Sequence, residues 1–393
     1  MPAFNRFNIQ PPLLNTACAW ASDYEDLKAL YECPHIGAIT TRTATHEGFP
    51  EDPKLHKVAF LKDSRSSINS YGYSPHPLRQ YVEWIDKLLT DNLDSNKPVI
   101  ISIAVSLASS NDAAKAMQRL NTSDQGRKEL IDMDIAASKR SSMKDLDHML
   151  QAIQELRQKH GDPLSAAPRI AIEINTSCPN LAGHPPPAYE PSTLRPILET
   201  LAQAYMEDPS LTFGLKLPPY VHATSFGDVV DVLASFSRTD KLAGVSVGRK
   251  DGEERGDVKD SSWNPIAFLT CTNTLGSTLL FEEQMERMKP ATPATNHGGD
   301  SPAFALPSIL GGLAGEAIHA LALGNVHSFA RLLKNHKDRT MREIAIIGVG
   351  GVTSAAAAKR MIAAGATAIG CATIFGRDGV GAFEGIAKAF HDA

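Results

Sequence analysis

The sequence predicts an α/β protein, a (β/α)8 TIM barrel with surface insertions, with residues 1–393 forming one domain. Three observations predict it. β-Branched apolar runs alternate with amphipathic helical stretches, the pattern of βα units around a buried parallel sheet. The number of runs suits a closed barrel better than an open sheet, and a barrel with insertions reaches 393 residues. The polar residues of chemical interest follow the runs, at the strand ends where barrels carry their chemistry.

In chain order, Tyr24–Tyr31 reads as a helix with Asp23 as its N-cap, and Gly37–Arg42 as a strand that turns polar at its C-terminal end. Pro98–Val105 (PVIISIAV) and Arg169–Asn175 are buried strands. Pro179 bars continuation of the second, because it has no N–H to give a ladder. Thr212–Leu217 is the next strand, stopped by Pro218 and Pro219. Leu242–Val247 and Phe268–Thr272 together read as one barrel strand plus an excursion, and Glu343–Val349 and Ala366–Cys371 close the series. The intervening helices are expected at Leu78–Thr90, Met143–Lys159, Ser192–Tyr205, Phe226–Ser237, Gly315–Leu333, Ser354–Ala364 and Val380–Ala389. Three segments read as surface excursions: a charged, partly helical 121–142, a Lys/Asp/Glu/Gly-rich 248–263 and a Pro/Thr/Gly-rich 289–302.

Bulk properties exclude several classes. A hydrophobic content of 42% supports a large core, and a formal net charge of −5 with no basic tract gives no footprint for nucleic acid. No apolar run reaches the length of a membrane span. Residues 1–15 lack the pattern of a signal peptide or presequence, so a cytoplasmic location is expected. Five scattered cysteines without a C-x-x-C pair suit a reducing compartment, with neither a disulfide framework nor a metal site expected.

The most informative stretch is Asn175-Thr-Ser-Cys178-Pro-Asn180, at the end of a buried strand. Its thiol stands between two amides and can act as base or nucleophile, or be a buried structural cysteine. Asn69 in Ser-Ile-Asn-Ser and Asn273-Thr274 add further amides, each unremarkable alone. Four carboxamides at one rim suit a small ring with alternating N–H and C=O edges, such as a pyrimidine. Lys216, within Gly-Leu-Lys-Leu-Pro-Pro, either snorkels to the rim or aims a fixed charge into the mouth; Arg42 poses the same choice. Gly350-Gly351, between a strand and a helix late in the series, is a tight turn or an anion seat that Ala372-Thr373 completes. Gly311-Gly312 follows no predicted strand and reads as a close backbone approach or a helix start. G-x-S-x-G, H-E-x-x-H, Walker A and a first-strand G-x-G-x-x-G are absent from the sequence.

On these motifs, together with Gly183-His-Pro-Pro-Pro-Ala-Tyr189, the chain resembles the dihydroorotate dehydrogenases, and within them the soluble class 1A type that uses fumarate. The resemblance runs from Pro11 to Phe390. It implies flavin mononucleotide (FMN) as cofactor, its phosphate on Gly350-Gly351 and near Ala372 and Thr373. It also implies Lys216 at the flavin's N1/O2 edge, Thr16, Ala17 and Cys18 along the ring system, and Arg42 and Gly312 among the flavin contacts. Asn69, Asn175, Asn180, Asn273 and Thr274 would hold the dihydroorotate ring, and Cys178 would take the C5 proton. The implied reaction is oxidation of (S)-dihydroorotate to orotate in pyrimidine synthesis, with fumarate as acceptor, in a homodimer contacting through Gly183–Tyr189. Two positions depart from the family pattern: Arg42 stands where a Lys is usual, and Asn15-Thr-Ala-Cys18 replaces Asn-Ala-Ser-Gly. These departures motivate the competing reading, an FMN-dependent ene-reductase or dehydrogenase of another cyclic amide or enone. A non-catalytic flavin-binding paralogue is the other alternative.

Overall fold

Twelve strands run through the residues that the computed structural model describes: 7–105, 124–165 (124–139 by backbone alone), 168–180, 186–239, 262–286 and 303–390. They are β1 (Leu13–Asn15), β2 (Ile39–Thr40), β3 (Val58–Phe60), β4 (Ser66–Asn69), β5 (Val99–Ile103), β6 (Ile170–Asn175), β7 (Phe213–Leu217), β8 (Ile266–Cys271), β9 (Leu275–Leu279), β10 (Leu310–Gly315), β11 (Ala345–Val349) and β12 (Ala368–Cys371). Eight form one parallel sheet in the order β1-β12-β11-β8-β7-β6-β5-β2. A parallel bridge between Leu14 and Ala38 joins its two ends. Asn15 secures the closure: its Nδ2 donates to the Thr40 carbonyl at 2.6 Å and its Oδ1 accepts from the Thr40 N–H at 2.8 Å. The expected (β/α)8 barrel is therefore the observed fold.

Period-two alternation sorts the strand residues. Ile170, Ile172 and Ile174 of β6, and Phe213, Leu215 and Leu217 of β7, belong to the large cluster shared with the outer helices. The alternate positions Ala171, Ile100, Phe268, Ile347 and Ala368 form a smaller cluster that fills the barrel, joined by Phe7 and Ile9. Gly214 is part of this packing, because a Cβ there would sit 2.1 Å from the Phe268 ring. One step further along the inward rows come Glu173, Asn175 and Lys216, all buried. The barrel thus turns from apolar to polar toward the C-terminal strand ends.

The helices fall where the apolar periodicity places them, with ends shifted by a few residues, as with Leu78–Asp91 and Arg195–Glu207. Helix Asp124–Lys159 is longer than expected and absorbs most of the 121–142 excursion. Two features differ from expectation. The barrel's first strand, β1, did not stand out, being three residues after a proline pair. A second, antiparallel sheet, β3-β4-β10-β9, also went unpredicted. Asn69 ends β4 and is not a turn residue, and Gly311-Gly312 lies within β10 and not at a helix start. The Gly-Gly pair serves close approach: a Cβ on Gly311 would lie 2.6 Å from the Asn69 carbonyl oxygen. The run Leu242–Val247, residues 248–261 of the 248–263 excursion and the whole 289–302 excursion lie outside the described residues, as do 183–185 of the Gly183–Tyr189 segment. No helix among the described residues is long and apolar enough to cross a membrane.

Candidate active site

Strand register brings the polar residues to one mouth. Asn175 pairs with Lys216 across β6 and β7, Leu217 with Cys271 across β7 and β8, and Asn15 with Cys371 across β1 and β12. The loops that leave these ends line a cavity of about 130 Å³, open to solvent and roofed in part by β4 and β10 of the second sheet. Every site residue expected from the sequence lines it except Gly312. Gly312 stands behind the wall, where a Cβ would be 2.2 Å from Thr274 Oγ1 and 3.6 Å from Asn180 Oδ1.

The four asparagines form two linked groups. Asn180 Nδ2 donates to Asn69 Oδ1 at 3.1 Å and to the Tyr71 carbonyl at 2.8 Å, and Asn69 Nδ2 donates to the Gly312 carbonyl at 3.2 Å. On the other side, Asn273 Nδ2 donates to Ser177 Oγ at 3.0 Å, and that hydroxyl donates to Asn175 Oδ1 at 3.1 Å. Asn175 Nδ2 reaches Thr43 Oγ1 at 3.0 Å. From there a chain of hydroxyls descends into the barrel: Thr43 to Ser102 at 3.0 Å, and Ser102 to Glu173 Oε1 at 3.0 Å. Thr270 donates to the other Glu173 oxygen at 2.6 Å. The amide orientations are therefore fixed from beneath, which sets which edge each amide presents.

Cys178 lies between these groups, 8% exposed, packed with Tyr73 and Ala104. Burial pushes its thiol above the ordinary cysteine range, and the Asn180 backbone N–H and the Lys216 and Arg42 charges pull it partly back. Cys18, half-buried on another wall, is pushed up to about 11, chiefly by burial, so it stays a neutral thiol at physiological pH. Lys216 is 3% exposed and donates to the Ala17 carbonyl at 3.1 Å. No carboxylate stands within 4.0 Å of it among the described residues. A buried ammonium left this way favours an anionic ligand. Arg42, by contrast, is paired with Glu51 and lies over the Tyr71 ring, 5.3 Å from its centroid. The hydroxyls of Thr16 and Thr272, both buried on the cavity wall, have no partner among the described residues. Gly350 and Gly351 adopt φ of 131° and 67°, a conformation that exposes successive backbone groups at the end of β11.

Sequence reasoning missed Thr43, Ser102, Ser177, Glu173, Tyr71 and Tyr73. A signal existed for two of them: Ser102 and Glu173 are polar residues inside β-branched runs, so each needs an inward partner. Tyr71 and Tyr73 carried none, since only the second sheet folds them over the mouth.

Comparison with known proteins points to one family name. The family model for dihydroorotate dehydrogenase matches residues 297–393. A Streptococcus pyogenes (serotype M18) protein named putative dihydroorotate dehydrogenase A (fumarate) is 24% identical over 383 residues, covering 97% of this chain and 89% of that protein. Its counterpart from serotype M5 is 27% identical over the same span. The dihydroorotate dehydrogenase (fumarate) of Trypanosoma cruzi is 24% identical over 374 residues, covering 95% of this chain and 86% of that protein. Along almost its whole length the chain is similar to proteins named dihydroorotate dehydrogenase (fumarate).

Proposed function

We propose that this protein oxidises (S)-dihydroorotate to orotate, a step of pyrimidine synthesis, with FMN as cofactor and fumarate as final acceptor. The observation that carries the reading is the convergence on one cavity of the Cys178 thiol, four fixed carboxamides and a buried ammonium with no carboxylate partner among the described residues.

The residues fit FMN. The hydroxyls of Thr16 and Thr272 and the Lys216 ammonium are groups that a flat, anionic, polar ligand would satisfy. Gly350, Gly351, Ala372 and Thr373 would hold its phosphate, and Thr16, Ala17 and Cys18 its ring system. The chemistry a bound FMN supplies is acceptance of the C6 hydride, with release of the electron pair to fumarate. Lys216 would counter negative charge on the bound cofactor. Asn69, Asn175, Asn180, Asn273 and Thr274 orient the substrate ring through its N–H and C=O edges. Cys178, as thiolate, removes the C5 proton, which is acidic beside the C4 carbonyl, and holds it on Sγ. Together the proton at C5 and the hydride at C6 account for the new C5=C6 bond.

We further propose a cytoplasmic homodimer that contacts through the segment ending at Tyr189, a residue 42% exposed in the monomer. The test is anaerobic addition of (S)-dihydroorotate to purified, FMN-loaded protein, followed by fumarate. Bleaching of the flavin band and its return on fumarate addition are expected. A band that dihydroorotate leaves unchanged refutes the reading and favours another cyclic amide or enone as substrate.

A further inference from the structure

Outside the cavity, one cluster of side chains has the makings of a metal site. His46 follows Thr45 in the loop after β2, and Asp145 and His148 lie three residues apart on helix Asp124–Lys159. One potential ligand atom from each falls within 4.8 Å of the other two. His46 Nδ1 is 3.8 Å from Asp145 Oδ1, and the His46 and His148 rings are 5.5 Å apart at 40°. Glu47 places a carboxylate oxygen 3.1 Å from the same His46 nitrogen.

We propose that His46, Asp145 and His148 bind a divalent transition-metal ion of the Zn²⁺ class, with Glu47 or water in the fourth position. Two imidazoles and a carboxylate form a donor set suited to such an ion and ill-suited to Mg²⁺ or Ca²⁺, which prefer all-oxygen shells. An acid and a histidine at i and i+3 share one helical face, the spacing by which helices present paired ligands. The helix is held in place, because Leu146, Met149 and Leu150 on its adjoining face are buried in the core. The loop is held too: the Leu78 N–H donates to the Thr45 carbonyl at 2.9 Å, next to His46. Tetrahedral zinc with bonds of about 2.1 Å sets its ligand atoms about 3.4 Å apart, so no separation need close by more than roughly 1.4 Å. Half-exposed side chains achieve this by rotamer adjustment, since Asp145 is 48% and His46 38% exposed. Two neutral imidazoles with the Asp145 and Glu47 carboxylates balance the charge of the ion. The 98 residues between His46 and Asp145 hide the cluster from motif reading. Once bound, the ion ties the loop that carries Glu51, the partner of Arg42 at the cavity wall, to an outer helix.

The experiment is titration of Zn²⁺ into tag-free, FMN-loaded protein by calorimetry, with Co²⁺ absorption as a second readout. One saturable equivalent is expected, with a Co²⁺ spectrum free of thiolate charge-transfer bands. His148→Ala and Asp145→Asn should each weaken binding at least about tenfold, with melting temperature and flavin content retained. Affinity and stoichiometry unchanged in both variants, or a thiolate band, would overturn the proposal. So would the absence of a saturable site, which would leave His46 as a polar neighbour of Glu47 and Asp145 and nothing more.

Discussion

Gly312→Ala is the sharpest structural test of the substrate side of the cavity. The new Cβ would lie 2.2 Å from Thr274 Oγ1 and 2.9 Å from Thr274 Cβ, where ordinary contact begins near 3.4 Å. Rotating the hydroxyl away relieves the first contact but not the second, because Cβ is fixed to the main chain. The Thr274 backbone must therefore retreat by about half an ångström. Asn273 moves with it, since the Thr274 N–H donates to Asn273 Oδ1 at 2.8 Å and Asn273 in turn bonds Ser177. Overpacking of this kind costs about 1–3 kcal/mol of stability. Misplacement of orienting groups on this scale costs on the order of 10- to 100-fold in rate. The expected result is folded protein with normal flavin content and kcat/KM for dihydroorotate reduced by about that factor, read by steady-state kinetics with fumarate. Unchanged kcat/KM would refute the placement of Thr274 and Asn273 against the substrate.

Gly227 provides the matching control: it lies in helix Ala223–Ala234 with nothing within 4 Å of an added Cβ, so Gly227→Ala should stabilise by about 1 kcal/mol in urea denaturation. Arg157 has no side-chain exposure and bonds Asp208 at 2.6 Å and both Ser210 oxygens, so Arg157→Ala should cost about 3–5 kcal/mol, a loss that a denaturation midpoint within error of wild type would disprove. A pH profile tests the state of the base. Cys178 must be deprotonated to act, and burial raises its pKa, so log kcat/KM should climb with pH and level off only above the free-thiol value of about 8.5. Arg42→Gln removes one of the charges that lower this pKa and should move the inflection to higher pH; a shift to lower pH would contradict the electrostatic account.

Much of the barrel was legible because its strands are buried on both faces. Residues 170–174 and 99–103 are nearly all apolar, and such runs between helical periods leave few alternatives. The strand-end motif Asn175–Asn180 could be assigned to the mouth for the same reason. β1 escaped because three residues carry no periodicity, and its strand state comes from pairing with β12 and bridging to Ala38. The second sheet escaped because Ser66–Asn69 and Leu310–Gly315 are joined by contacts over more than two hundred residues and contain small or polar residues in place of alternation. The orientation of each amide was equally invisible. It depends on partners such as Thr43 and Ser177, whose roles follow from register and not from type.

The account depends most on Cys178 as the group that accepts the substrate's proton. Its most direct test is anaerobic stopped-flow mixing of (S)-dihydroorotate with FMN-loaded wild type and Cys178→Ala. The predicted result is rapid bleaching in the wild type and none on that timescale in the variant, with FMN equally bound in both. Bleaching of the variant at the wild-type rate would contradict it.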